Sequence, residues 1–199
     1  MDAVRVRRLS RWQAEDLRED LADLYVESSD SDPGEEYRDR EAFLHRLAAD
    51  VQQPGFDMLL AETTALAGCA FGFPVARDGV WWEGFDGDLP QNIEQLTASG
   101  HVFAITKILV HPHELHQGIA GLLQEQLLGD HEASLGASLV APDDHVALGA
   151  YRSWGWLEIG EVHRPPGPVI LRALVLPLGE RSAVEPDGLA HKAGTQRPE

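Results

Sequence analysis

The chain of 199 residues has one cysteine, Cys69, so no intramolecular disulfide framework braces it. It has no apolar run of the length a bilayer span needs. Its start, Met1-Asp2-Ala3-Val4-Arg5-Val6-Arg7-Arg8, has none of the apolar core of a signal peptide. Basic residues are scarce: 16 Lys and Arg stand against 33 Asp and Glu, for a formal net charge of -17. That balance argues against nonspecific nucleic-acid binding, which needs cations against phosphates. It suits a cationic ligand, or serves only solubility. The expectation is a cytoplasmic protein with no membrane or nucleic-acid partner. There is no internal repeat, and no Gly-x-x-x-x-Gly-Lys-Ser/Thr pattern to hold a nucleotide triphosphate.

What is present is an ordinary globular composition, 43% hydrophobic, at a length typical of one domain. Residues 4–9 alternate Val and Arg as an edge strand does. Residues 14–26 place Leu17, Leu21, Leu24 and Tyr25 on one helical face. An acidic loop, 27–36, leads to a second helix over 39–53, with Phe43, Leu44, Leu47 and Val51 on its stripe and Pro54-Gly55 at its end. Residues 56–63 and 66–75 read as a hairpin. Gly68, Ala70 and Gly72 in its second strand suggest a bulge or a close approach. An insertion, 77–100, holds Trp81, Trp82, Phe85 and a short helix at 91–98; long connections of this kind often carry function. Strands at 138–141, 156–163 and 169–178 and a helix at 145–154, with Asp144 as its N-cap, complete the domain, 1–178. The polar residues 179–199 read as a disordered tail. The order of elements predicts an α+β fold with a mixed sheet.

The stretch 108–120 carries most of the functional information. Ile108, Leu109 and Val110 form an apolar run, as in a strand covered on both faces. Pro112 marks the strand's end because it cannot donate to a ladder. After Gly118, Ile119, Leu122, Leu123 and Leu127 fall on one helical face. Free N–H groups at a helix start beside small residues make an anion site, most often a phosphate site.

This stretch resembles the cofactor motif of the GNAT superfamily, the acyl-CoA-dependent N-acyltransferases, in which an apolar strand leads into Arg/Gln-x-x-Gly-x-Gly/Ala. Leu115-His116-Gln117-Gly118-Ile119-Ala120 carries both small positions, with Leu115 at the first. A second segment has Ala147, Tyr151 and Gly155 in the register of the family's Asn-x-x-Ala-x-x-x-Tyr-x-x-x-Gly-Phe, with Asp144 and Trp156 replacing its Asn and Phe. The resemblance implies a GNAT-like fold whose central sheet splays open around the cofactor. It implies that the amides of His116, Gln117, Gly118, Ile119, Ala120 and Gly121 hold the pyrophosphate of acetyl-CoA. By the same resemblance the edge of Ile108, Leu109 and Val110 pairs with the pantetheine arm, and Asp144 lies close to it.

The implied activity is direct transfer of an acetyl group to a primary amine of a small molecule or peptide, cationic by the charge argument. Positioning two substrates together can remove about 7–11 kcal/mol of barrier. Tyr151 is the candidate general acid, because a phenol keeps its proton at neutral pH and can hydrogen-bond to a developing thiolate. The base is open among His101, Glu62, Glu83 and a water chain, since the motif strand offers only Thr106 and Lys107 where the family often has an acid. Trp81 and Trp82, with Phe85, form either an aromatic wall over the acceptor or a plug that folds the insertion down; Thr106 is a further acceptor-side candidate. His111, His113 and His116 read as loop positions rather than a metal site, and no metal is expected. A homodimer is compatible with the sequence. The alternative function is a catalytically silent acyl-CoA-binding or ligand-sensing module on the same fold, favoured by Leu115, Asp144 and the absent strand acid.

Overall fold

The computed structural model describes residues 3–29, 32–115 and 118–179. Seven strands form one sheet: β1 (Arg5–Leu9), β2 (Asp57–Glu62), β3 (Leu66–Pro74), β4 (Val102–Val110), β5 (Leu135–Val140), β6 (Leu157–Arg164) and β7 (Val169–Pro177). Their spatial order is β1-β2-β3-β4-β5-β7-β6, and only β4 and β5 run parallel. Six α-helices pack on this sheet: α1 (Arg11–Asp16), α2 (Arg18–Ser28), α3 (Glu36–Asp50), α4 (Gln91–Ala98), α5 (Ile119–Gly129) and α6 (His145–Ser153). The fold is therefore α+β with a mixed sheet, as the element order predicts. None of the described helices is long and apolar enough to cross a membrane.

The side-chain alternation of the strands divides the core. Leu59, Ala61, Phe103 and Ile105 face α5 and α6 on what we call the back of the sheet. Met58, Leu60, Phe71 and Leu109 face α1, α2 and α3 on the front. Val102, Ala104, Ala137 and Val175 face α4 and the insertion, also on the front. The front is thus covered in two halves.

Two expected helices are displaced. The helix expected over 14–26 is broken at Leu17 (φ -93°, ψ 7°). Its first part starts one turn earlier, because Ser10 and Gln13 form a reciprocal capping box. The next helix begins at Glu36 instead of residue 39, which places Glu36 and Asp39 in the first turn, where the helix dipole favours acids.

Two irregularities shape the middle of the sheet. Phe71 pairs with Lys107 but Gly72 pairs with Ile105, so Thr106 is the extra residue of a bulge in β4. A Cβ on Gly72 would lie 1.8 Å from the carbonyl oxygen of Ala104, so the bulge demands glycine there. Then β4 and β5 pair only at Val102↔Leu135, Phe103↔Gly136 and Ala104↔Ala137. Beyond Ala104 the two strands separate. Ser138 donates its hydroxyl to the carbonyl of Ile105 (3.0 Å), which satisfies an acceptor freed by the parting.

The insertion is tied to the sheet. Trp82 is buried, and its indole N–H donates to Thr97 (2.9 Å), whose hydroxyl donates to the carbonyl of Ile93 (2.8 Å). Phe85 forms an antiparallel bridge to Val162, so the insertion extends the sheet beside β6.

Candidate active site

The parting of β4 and β5 opens a slot whose walls are different elements. On one side runs β4. Ile108, Leu109 and Val110 pair with Ala70, Cys69 and Gly68 of β3, and pair with no strand on the β5 side. Their side chains are used in packing, Leu109 to the front and Val110 to the back, with Ile108 against the back cluster. Their backbone edge is what the slot can use.

α5 begins beside the C-terminal end of β4. Gly118 is its N-cap, in the left-handed region (φ 69°, ψ 17°), and among the described residues no side chain caps the helix. A left-handed N-cap without a side chain leaves the first amides open to a ligand. Space around Gly118 is open: a Cβ there would meet nothing within 4 Å. Ile119 is buried beneath the helix, Ala120 is half-buried, and Gly121 lies under Trp154, whose Nε1 would be 3.1 Å from an added Cβ. His116 and Gln117 lie outside the described residues. Leu115 is exposed.

His111 and His113 are the described histidines beside this helix start. His111 turns its Nε2 to Glu27 (3.1 Å) and accepts the His113 amide on Nδ1 (3.3 Å), and the two rings stack with centroids 5.1 Å apart.

α6 supplies the back wall. Asp144 caps it, accepting the Ala147 amide on Oδ1 (3.0 Å). Tyr151 is 6% exposed and packs edge-on against Trp154 and Trp156. Its hydroxyl lies 3.1 Å from Ser138 Oγ. Since the Ser138 proton goes to Ile105, Tyr151 donates to Ser138. The phenol therefore sits on the back face where the strands begin to part. Burial pushes its pKa up to about 12, with Asp144 adding to the rise and Ser138 opposing it.

The front wall is charged. Thr106, at the bulge, donates its hydroxyl to the carbonyl oxygen of Phe71 (3.3 Å), and its side chain is near enough to the carboxylate of Asp50, the last residue of α3, to act on it. Burial raises the Asp50 pKa, while Thr106, Arg46 and Lys107 pull it down. Lys107 lies over the Tyr25 ring at 5.2 Å, and Arg46 approaches the same ring at 5.9 Å. Burial and then Arg46 lower the Lys107 pKa, against Asp144 and Asp50. Asp144, the N-cap of α6, is thus among the charges that act on Lys107.

Trp81 stands edge-on to Phe73 of β3, with ring centroids 6.0 Å apart, and its indole N–H has no hydrogen-bond partner among the described residues. Trp82 is not brought to the slot; it is enclosed in the front cluster under α4. The candidate bases are scattered. His101 is exposed near the opposite end of β4, 2.8 Å from Ser99 Oγ. Glu62 pairs with Arg7 (3.2 Å) between β1 and β2, and Glu83 is exposed in the insertion. Cys69 is buried, and burial pushes its thiol up to about 12, so it is no nucleophile. A separate cleft of about 340 Å³ lies between α2 and the β2–β3 hairpin, lined in part by Asp20, Asp23 and Glu27.

Sequence reasoning missed Asp50 and Ser138. Asp50 had a signal: it stands seven residues after Phe43, on the apolar stripe of its helix. Ser138 had none, because its role follows from where β5 leaves β4.

No family model and no curated protein matches the chain by sequence. Solved structures do match in fold. The PaiA N-acetyltransferase of Thermoplasma acidophilum, in complex with coenzyme A, aligns with TM-score 0.59 at 12% identity, over 88% of this chain and 99% of that one. A ribosomal-protein alanine N-acetyltransferase from Escherichia coli aligns with TM-score 0.53 at 16% identity, over 88% and 94%. A chimera of the Vibrio cholerae spermidine N-acetyltransferase aligns with TM-score 0.58 at 10% identity, over 90% and 98%. The chain has the fold of the GNAT acetyltransferases.

Proposed function

We propose that the protein is an acetyl-CoA-dependent N-acetyltransferase acting on a primary amine of a small molecule or peptide. The observation that carries this reading is the parting of β4 and β5 after three paired residues, beside a helix start that no described side chain caps and above a buried phenol. The residues present fit such a donor. The unpaired edge of Ile108–Val110 suits an amide-containing arm, which binds as an added strand does. The start of α5 suits a pyrophosphate, because its open amides and positive dipole end meet negative charge. Gly118 leaves the room that a phosphate needs.

When bound, the donor supplies an acyl thioester, whose carbonyl is open to a neutral amine. Tyr151 stands by type and place as the acid for the departing sulfur. Its raised pKa keeps it protonated throughout the neutral range. To act it must exchange its hydrogen bond to Ser138 for one to the sulfur. The names of two structural neighbours give a ribosomal-protein alanine and spermidine as what they acetylate. Binding without transfer is the second reading, and one observation favours it: in this structure the Tyr151 hydroxyl is engaged by Ser138 and enclosed by Trp154 and Trp156.

Calorimetric titration with acetyl-CoA, desulfo-CoA and ADP tests the assignment. Saturable binding of acetyl-CoA, weaker for ADP, is expected. No binding of any of the three removes the enzyme reading.

A further inference from the structure

The inward stripe of α3 carries a carboxylate among apolar residues. Phe43, Leu47 and Val51 on that stripe are buried in the front cluster, and Asp50 lies two helical turns after Phe43. An acid placed there is costly unless it is paired. The β4 groups that act on it are Thr106 and Lys107, one of only two lysines in the chain, and Lys107 shares the Tyr25 ring with Arg46, one turn before Asp50 on α3. β4 itself reads Val-Phe-Ala-Ile-Thr-Lys-Ile-Leu-Val, without an acid. The bulge turns Thr106 to the front at the point where β5 has just left β4. Asp50, one turn beyond Arg46, is therefore on the front side of the bulged stretch of β4, and Tyr151 is on the back.

We propose that Asp50 is the general base of the transfer, receiving the proton of the incoming ammonium on the face of the sheet opposite Tyr151. The inference rests on the acyl-transfer reading above. Asp50 takes one proton from the ammonium, and the neutral nitrogen attacks the thioester carbonyl. The C–N bond forms and the C–S bond breaks. Tyr151 gives its proton to the departing sulfur and recovers one from the nitrogen. Asp50 passes its proton to water, so the products are an amide, a thiol and one proton. The charged groups facing Asp50 are Arg46 on its own helix and Lys107 on β4, both over Tyr25 of α2, with Asp144 acting on Lys107 from α6. Burial outweighs these cations at Asp50 and makes it a stronger base than an exposed aspartate.

The test is Asp50→Asn, which keeps the size of the side chain and removes its charge, together with a carbon-detected NMR titration of the wild-type carboxyl groups, in which the variant identifies the Asp50 resonance. Acetyl-CoA affinity measured by calorimetry should not change. kcat/KM toward an alkyl amine at pH 7 should fall roughly 10²–10⁴-fold. The deficit should shrink as pH rises and the free amine loses its proton unaided. The Asp50 carboxyl should titrate above the ordinary value of about 3.9. An unchanged kcat/KM at pH 7 overturns the proposal, as does a carboxyl that titrates at or below the ordinary value. If the variant does not fold, Asp50→Glu identifies the resonance and the wild-type titration decides. A wild-type protein that fails to bind acetyl-CoA defeats the acyl-transfer reading instead, and this role with it.

Discussion

The back and front walls of the slot are built by opposite physical means. The back is apolar and neutral: Tyr151 sits among Trp154, Trp156 and the α5 leucines, and its polar atom is satisfied by a hydroxyl. The front is ionic: Asp50, Arg46, Lys107 and the Tyr25 ring share one patch. A neutral wall holds a proton donor in place without titrating in the working range. A charged wall holds a carboxylate whose proton affinity its neighbours set. On the proposed reading the back supplies the acid and the front the base, and substitutions on either wall should show different kinetic consequences.

The largest effect should come from closing the end of the slot that both walls share. Gly118→Glu puts a carboxylate at the α5 start and an L side chain at φ 69°. Like-charge juxtaposition costs several kcal/mol, so acetyl-CoA affinity should fall by at least about 10²-fold. Calorimetry reads this, and an unchanged affinity would show that the phosphates bind elsewhere. Tyr151→Phe breaks the back wall's chemistry alone. It should lower kcat by roughly 10²–10⁴-fold with little change in donor affinity. Equal loss of both quantities would make Tyr151 a packing residue.

The smallest effect lies outside the slot and sharpens the contrast. Asp57 of β2 pairs with Arg8 (2.8 Å) and His131 (2.9 Å). Burial pushes its pKa up, but the hydrogen bonds from His131 and Arg8 outweigh burial and bring it below the ordinary value of 3.8. A depressed carboxylate adds stability above its unfolded pKa and loses it as pH falls through the folded value. Asp57→Asn should therefore cost about 1–3 kcal/mol at pH 7, nearer the lower figure because Arg8 is half-exposed. The deficit against wild type should fade as pH drops below about 4, in denaturant midpoints followed with pH. Turnover at pH 7 should stay at the wild-type level. A deficit that persists at low pH would mean that the pair contributes nothing through its charge.

Much of the back wall was legible in the sequence because it is local. Gly118 before an amphipathic helix, the Asp144 cap and the spacing from Ala147 to Gly155 each sit within a few turns of chain. The α4 helix at Gln91–Ala98 was legible for the same reason. The front wall was not, because it is assembled from distant segments. That Thr106 is a bulge residue follows only from how β3 pairs with β4, and that Asp50 meets it follows only from how α3 lies on the sheet. The break at Leu17 escaped periodicity because Leu17, Leu21 and Leu24 continue one stripe through it, and the Ser10 cap lies outside that stripe. The aromatic insertion left two readings open; Trp82 and Phe85 fold it onto the sheet, while Trp81 stands beside β3 with an indole N–H that has no partner among the described residues.

The most direct test of the account is amine-dependent release of the CoA thiol from acetyl-CoA by the wild-type protein, across peptide and polyamine acceptors, with the product weighed by mass spectrometry. The account predicts thiol release only when an amine is present, an acetylated amine in equal amount, and no acetylated protein. Saturable acetyl-CoA binding with no release over the whole panel would contradict it and leave a module that binds the donor without transfer.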